Sequence, residues 1–250
     1  NEKSMLGIYK NMLQTIPKFE NLRRTFSDDP QTVNNLLEKF SEVTIPTLKE
    51  IFKDNIDEIE KKIVKEIYYS IEVKSQNPYL LSKYSEDELS DELKNIIQAL
   101  LKDKNITVER EARGGYSMSK VGEIDFFFYQ IDPLRHYAVG ENKIWSPKNF
   151  ENQMKQLLGY AKANRGFCFT IIFNKNTDRL NIIKKRKEIL KNFSVEENGE
   201  HNFVLESEIK DVSLLIDTVK DVYLTLHRNP EDDSPLRIYH FIVDANEQAR

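Results

Sequence analysis

Asp125, Glu141 and Lys143 are the residues whose types and spacing best suit chemistry on a metal ion. Glu141 and Lys143 are two residues apart in an apolar segment, 136–144, that is typical of a β-strand. Residues two apart in a strand point to the same face, so the two side chains would project together. If this strand pairs as a hairpin with the strand predicted over 122–129, Asp125 lies beside Glu141. Two carboxylates and an ammonium among apolar neighbours are costly unless a cation or a phosphate balances them.

Magnesium fits these side chains because it is a hard ion that takes carboxylate oxygens together with water and phosphate oxygens. Such an ion activates a bound water and neutralises charge on a phosphate, while Lys143 would orient the water or stabilise the transition state. The plainer alternative is a salt bridge among strand-end surface residues. Spacing alone favours that alternative, so the decision depends on context.

The aspartate and the Glu-x-Lys pair resemble the active-site motif of the PD-(D/E)xK nuclease superfamily, which has the restriction-endonuclease-like fold. Gln156 and Tyr160 are similar to the Gln-x-x-x-Tyr motif that many members carry on the helix after the lysine strand, with Gln153 as a weaker alternative. The resemblance covers about residues 85–175. It departs from the usual pattern at Ile124, where the superfamily commonly has proline.

The superfamily often completes its metal site with a glutamate from the first core helix. The resemblance therefore implies Glu86 as a further ligand beside Asp125 and Glu141, with Glu92 as its main rival and Glu88 further from the apolar stripe. The implied catalytic set is Asp125, Glu141, Lys143, Gln156 and Glu86, and the implied metal ligands are Asp125, Glu141 and Glu86.

This resemblance implies a Mg²⁺-dependent phosphodiesterase, with Mn²⁺ able to substitute. We expect a DNA endonuclease of a prokaryotic defence or restriction system, and RNA stays open as a substrate because metal chemistry on a phosphate does not distinguish the sugar. The alternative from another class is a catalytically idle nuclease-fold module that binds nucleic acid or protein. The intact trio of aspartate, glutamate and lysine argues against that alternative.

Glycine placement divides the chain, because no glycine occurs between Gly7 and Gly114. Residues 1–105 are therefore predicted to be nearly all helical. The best boundary lies within 73–80, which gives a helical N-terminal region, 1–78, and an α/β domain with a C-terminal extension, 79–250. The N-terminal helices could bind a regulatory or sensor protein or form a homo-oligomer, although packing against the core is the simpler interpretation.

Hydrophobic periodicity predicts the elements of the α/β domain. They are a helix capped by Ser85 over 86–101, strands over 106–112, 122–129 and 136–144, a helix over 149–163, a central strand over 166–174, a basic helix over 178–192, a short strand near Phe203, a helix over 211–227 and a final apolar run over 238–243. The first six follow the αβββαβ order of a restriction-endonuclease-like core with a mixed central sheet.

Charge is unevenly distributed along the chain, whose formal net charge is −4. Residues 141–195 hold 12 basic and 4 acidic side chains, a local charge of +8 that begins at the candidate site. This favours a nucleic-acid partner, because phosphate binding depends on Lys and Arg. The family resemblance implies DNA before RNA as that partner. A solvated helix face is the plainer interpretation of the run 184–187.

Several function classes are disfavoured by the sequence. No apolar run approaches the roughly 20 residues that cross a bilayer, and residues 1–4 lack a secretory signal pattern, so we expect a cytoplasmic protein without a membrane partner. The start at Asn1 suggests a processed chain or a piece of a longer one. Cys168 is predicted to be a buried core residue, and the four histidines lack metal-ligand spacing.

Overall fold

The computed structural model describes residues 56–117, 120–161, 166–197, 200–216, 218–229 and 234–246, and within these ranges three α-helices precede the first strand. They are α1 (Glu58–Ser75), α2 (Pro78–Lys83) and α3 (Glu86–Leu101). Helices predicted before residue 56 lie outside the described residues. α3 begins as predicted, because Ser85 accepts a hydrogen bond from the Glu88 amide and the Glu88 carboxylate accepts one from the Ser85 amide.

A mixed sheet of seven strands forms the centre of this unit. In chain order the strands of the described residues are β1 (Thr107–Glu109), β2 (Ala112–Ser117), β3 (Lys120–Ile124), β4 (Phe126–Gln130), β5 (Arg135–Ile144), β6 (Phe167–Asn174), β7 (Val195–Glu197), β8 (Glu200–Asn202), β9 (Lys210–Asp211), β10 (Tyr223–Arg228) and β11 (Pro235–Asp244). The sheet order is β1-β4-β5-β6-β11-β10-β9, with β5, β6 and β11 parallel and the other pairs antiparallel. β2 pairs with β3, and β7 with β8, outside it.

Helices cover both faces of the sheet. Apolar residues of α1 and α3 pack with Phe128 and Phe169 on one face. On the other face, α4 (Pro147–Ala161) and α5 (Arg179–Asn192) pack with Val139 and Cys168. All eight residues of β6 are buried, which confirms the prediction of a central strand covered on both sides. Cys168 is buried and free, as predicted.

Helix α1 is tied directly to the sheet. The Glu60 carboxylate accepts hydrogen bonds from Arg237 Nε at 2.7 Å and Nη2 at 2.6 Å, and from the Tyr239 hydroxyl at 2.8 Å. The compact unit that contains the sheet begins at Ile56. Residues 56–78, which the sequence groups with the N-terminal helices, therefore pack here with the strands.

The helix predicted over 211–227 is wrong. That stretch contains β9, a single 3-10 turn at Val212–Leu214 and strand β10. The Asp211 side chain accepts from the Ser213 amide and so caps only this one turn. Strand β11 then offers a complete antiparallel partner, with Leu224 opposite Tyr239, and tertiary pairing overrides the helical spacing of the apolar residues.

Gly140 in β5 packs against the ring of Phe169, its partner in β6. A Cβ atom at this position would lie 2.1 Å from Cζ of Phe169, whose ring occupies the space that a side chain would need. The glycine is therefore required by packing on the face of α1 and α3. Within the described residues, no helix is long and apolar enough to cross a bilayer.

A row of buried polar side chains crosses the sheet on the face of α4 and α5. Thr170 Oγ1 lies 2.9 Å from His240 Nδ1, His240 Nε2 lies 2.8 Å from Thr225 Oγ1, and His227 Nε2 lies 3.0 Å from Thr225 Oγ1. His227 Nδ1 lies 2.8 Å from the Phe203 carbonyl oxygen, which can only accept. The hydrogens are thereby ordered, with His227 protonated on Nδ1, His240 on Nε2, and each threonine hydroxyl donating.

Both histidines of this row are held neutral. Burial lowers the pKa of His227. Burial, then the charge of Arg186 and the repulsion that a protonated His227 would add, lower the pKa of His240 well below its usual 6.5. The unfolded chain therefore binds more protons than the folded chain below pH 6.5. The stability due to these histidines is complete above that pH and is lost as the pH falls.

We expect acid to destabilise the wild-type protein more steeply than a His240→Gln variant. Each neutral buried histidine costs up to about 1.4 kcal/mol of unfolding free energy per pH unit below its unfolded pKa. Urea unfolding followed by the fluorescence of Trp145, the chain's single tryptophan, at several values between about pH 7.5 and 5 measures both slopes. Equal slopes for the two proteins would contradict this account.

Candidate active site

The hairpin of β4 and β5 brings Asp125 and Glu141 together. The strand predicted over 122–129 bends at Asp125, between β3 and β4, and the register pairs Phe126 with Gly140. One position further in this antiparallel direction, the residues of the two chains are Asp125 and Glu141. Asp125 Oδ2 accepts a hydrogen bond from the Asn142 amide at 2.9 Å, which fixes the aspartate against the end of β5.

Glu141 places a carboxylate inside the protein. Its side chain is 1% exposed, and its Oε1 atom is buried without a hydrogen-bond partner among the described residues. Burial, then the charge and hydrogen bonding of Asp125, raise the pKa of Glu141 well above its usual range, against the opposing charge of Lys143. An ionised carboxylate here needs a compensating cation.

Lys143 supplies one positive charge beside this pair. Its Nζ donates to Glu86 Oε1 at 2.8 Å, and the Ile144 amide donates to Glu86 Oε2, also at 2.8 Å. Burial lowers the pKa of Lys143, but the hydrogen bond that it donates to Glu86 and the charges of Asp125, Glu86 and Glu141 outweigh this effect, and the pKa lies above its usual value. The ammonium therefore stays protonated and fixed in direction.

Of the three helix glutamates, only Glu86 is seen to contact β5. Glu88 is used in the capping box, and Glu92 forms an ion pair with Lys74 of α1. Both oxygens of Glu86 already accept hydrogen bonds from β5 and the residue that ends it. In this arrangement Glu86 positions Lys143, and its predicted role as a metal ligand stays a prediction.

Three potential ligands do not converge in the described part of the chain. No group of three or more histidine, cysteine, aspartate or glutamate side chains there is arranged to hold a metal ion. The carboxylates that remain available are Asp125 and Glu141. A divalent ion in this site would take these two oxygen donors and complete its coordination with water or substrate, as Mg²⁺ commonly does.

Gln153, and not Gln156, is the helix glutamine that contacts the strands. Gln153 is buried, and its Nε2 donates to the Glu141 carbonyl at 2.6 Å and to the Ile171 carbonyl at 3.0 Å. Gln156 is exposed, because at about 100° per residue it falls outside the buried face of α4. In the sequence, apolar residues at 150, 154, 157 and 161 mark the buried face of α4, and Gln153 lies on that face. This spacing is the signal that could have selected Gln153.

Tyr160 holds the other strand of the site to α4. Its hydroxyl donates to the Glu123 carbonyl at 3.0 Å, two residues before Asp125. Burial, then the negative charges of Glu141, Asp125 and Glu123, raise the pKa of Tyr160 to about 12. Since Gln153 and Tyr160 lie two helical turns apart, α4 anchors the backbone beside both carboxylates.

The basic segment divides between surface and core. Five of its lysines are exposed on α4 and α5, namely Lys148, Lys155, Lys184, Lys185 and Lys191. Arg186 instead is fully buried and donates through Nη1 to the Phe241 carbonyl at 3.1 Å, and burial lowers its pKa to about 9. The run 184–187 is therefore not a single solvated face.

Comparison of this chain with protein-family models, with curated proteins and with solved structures finds no match. Function must therefore be inferred from the chemistry of the site itself.

We expect Glu141→Gln to raise the stability of the metal-free protein at neutral pH. The folded pKa of Glu141 is raised, so its ionisation costs folding free energy as the pH rises above the unfolded value of 4.5. Removing that charge should gain about 1 kcal/mol or more in unfolding free energy, measured by urea titration. Glu151→Gln, at an exposed position of α4, is the matched control and should change stability little. A destabilised Glu141→Gln protein would show that the carboxylate is compensated within the fold.

Gln153→Ala should destabilise the protein by about 1–3 kcal/mol, because it leaves two buried carbonyls without their donor. Gln156→Ala removes an exposed side chain from the same helix and should change stability by less than about 0.5 kcal/mol. Thermal unfolding of both variants tests the assignment, and equal effects would refute it.

Proposed function

We propose that this protein is a Mg²⁺-dependent nuclease of the PD-(D/E)xK type, with Mn²⁺ able to substitute. Its most direct activity would be DNA endonuclease cleavage in a prokaryotic defence or restriction system. The observation that carries the proposal is the buried, unpartnered Oε1 of Glu141 beside Asp125. The succession of α3, the strands up to β5, α4 and β6 resembles a restriction-endonuclease-like αβββαβ core.

The residues present fit a hard divalent cation. Asp125 and Glu141 offer carboxylate oxygens as metal ligands. The Oε1 atom of Glu141 is buried without a hydrogen-bond partner among the described residues, so it is available to a cation. When bound, the ion would lower the pKa of a coordinated water and neutralise charge developing on the scissile phosphate. We assign Asp125 and Glu141 as its ligands, with Glu86 retained as a further candidate.

The chain's own groups complete the chemistry around the phosphate. The Lys143 ammonium, directed by Glu86, would stabilise negative charge on the phosphate oxygens or orient the attacking water. Gln153 and Tyr160 hold the backbone at Glu141 and Glu123, so the two carboxylates keep their separation while substrate binds. A near-attack arrangement needs this rigidity.

The exposed lysines support a polyanionic substrate. They lie on α4, which directly follows the strand of Glu141 and Lys143, and on α5, which packs beside α4 on the same face of the sheet. Lysines at such positions can follow a phosphate backbone without reading its sequence. Double-stranded DNA is our first expectation, and RNA is the second substrate to test.

An idle nuclease-fold module that binds nucleic acid or protein is the second candidate. It is favoured by one observation, the engagement of both Glu86 oxygens with Lys143 and Ile144, which leaves Asp125 and Glu141 as the carboxylates of this described site that are available to a metal ion. Calorimetric titration of Mn²⁺ into the full chain separates the candidates. Binding that disappears in Glu141→Gln supports the enzyme, whereas folded wild-type protein without binding supports the idle module.

We predict divalent-dependent cleavage of plasmid and short duplex DNA by the wild-type protein. Glu141→Ala and Lys143→Met should each lower the cleavage rate by about a hundredfold or more, because each removes charge stabilisation made in the transition state. Product analysis on gels, with and without chelator, measures this, and matched RNA duplexes test the sugar.

Two controls make the cleavage test decisive. Glu151→Gln removes a carboxylate and Lys65→Met an ammonium at exposed positions, and both should cleave like wild type. All variants are purified identically. Cleavage that persists unchanged in Glu141→Ala would assign the activity to a contaminant or to another site.

A further inference from the structure

Lys175 connects the strand next to β5 with the chain that leads into α3. It follows the end of β6 directly, and its side chain is half-buried. Its Nζ donates to the Ser82 carbonyl at 3.2 Å and to the Tyr84 carbonyl. Both oxygens lie at the C-terminal end of α2, where helical carbonyls lack partners and an ammonium is favourable.

The chain just beyond these carbonyls is short and rigid. Ser85 follows Tyr84 and caps α3 through its reciprocal hydrogen bonds with Glu88. Glu86 is the next residue, and its carboxylate accepts hydrogen bonds from the Lys143 ammonium and the Ile144 backbone amide. Residues 82–86 are therefore tied to the sheet at both ends.

The two ties are linked through the sheet itself. Ile144 at the end of β5 pairs with Phe173 of β6, two residues before Lys175. The parallel pairing thus fixes where Lys175 stands relative to Lys143. A change in either tie shifts the entry into α3 and, with it, the Glu86 carboxylate.

We propose that Lys175 is a positioning residue of the active site: by holding the Ser82 and Tyr84 carbonyls, it sets Glu86 so that Lys143 points at the substrate phosphate. This inference rests on the proposed nuclease function. Lys175 acts through Glu86 and does not touch substrate, so its effect falls on turnover. A phosphate-binding lysine would instead change substrate affinity.

The test compares Lys175→Met, Lys175→Arg, Glu86→Gln and the double variant Glu86→Gln/Lys175→Met in metal-saturated cleavage of a DNA duplex. We expect kcat of Lys175→Met to fall about tenfold with KM changed less than about twofold, because a misplaced catalytic group costs rate more than binding. Lys175→Arg, which can still donate to both carbonyls, should keep kcat within about threefold of wild type. The double variant should be no slower than Glu86→Gln alone, because the two residues act in one chain of contacts.

Each other outcome overturns the positioning role. Additive losses in the double variant, or a rise in KM with kcat unchanged, would make Lys175 a direct substrate contact. A kcat of Lys175→Met equal to that of Lys65→Met, the exposed-lysine control, would make its contacts merely structural. Thermal unfolding confirms that each variant is folded. If Lys175→Met does not fold, Lys175→Arg carries the test. If the metal-saturated wild-type protein does not cleave DNA, the nuclease function itself is refuted.

Discussion

The Glu141 carboxylate is buried where water cannot solvate it, and ionising it there costs free energy. The contacts of the neighbouring residues can be understood from that cost. Asp125 increases the cost by adding a second negative charge, while Lys143 offsets part of it. Glu86 holds Lys143, and Gln153 holds the backbone of Glu141 itself. A fold selected only for stability would place an apolar residue at position 141. The free-energy cost of a buried glutamate there therefore indicates a functional role for this side chain.

Local patterns in the sequence predict much of this arrangement. The Ser85 cap, the shared face of Glu141 and Lys143, and the buried strand β6 follow from short-range periodicity. The apolar periodicity of α4 places Gln153 on its buried face, but the contacts of Gln153 and the strand β10 could not be predicted in the same way. The first depends on which side of α4 meets the sheet, and the second on whether β11 is available as a partner. Both are decided by contacts between residues far apart in sequence.

The polar row on the same face of the sheet gives the strands a second reason to stay in register. Glu141 pairs with Thr170, and Thr170 pairs with His240, so these three residues form one line across the parallel strands β5, β6 and β11. A slip of one residue would bury these groups among apolar side chains on the other face, with every hydrogen bond broken. The row therefore helps to fix the register of β6 with β11 and of β11 with β10.

Gly140 shows how tightly β5, the strand of Glu141 and Lys143, is packed. Its missing side chain is replaced by the ring of Phe169, on the face of the sheet opposite the Glu141 side chain. A single added carbon would have to displace either the ring or the strand, and a displaced strand moves the carboxylate next to it. The geometry of the candidate site thus depends on packing in the buried core between the sheet and helices α1 and α3, and paired changes at Gly140 and Phe169 offer a graded adjustment of that geometry without altering Asp125, Glu141 or Lys143.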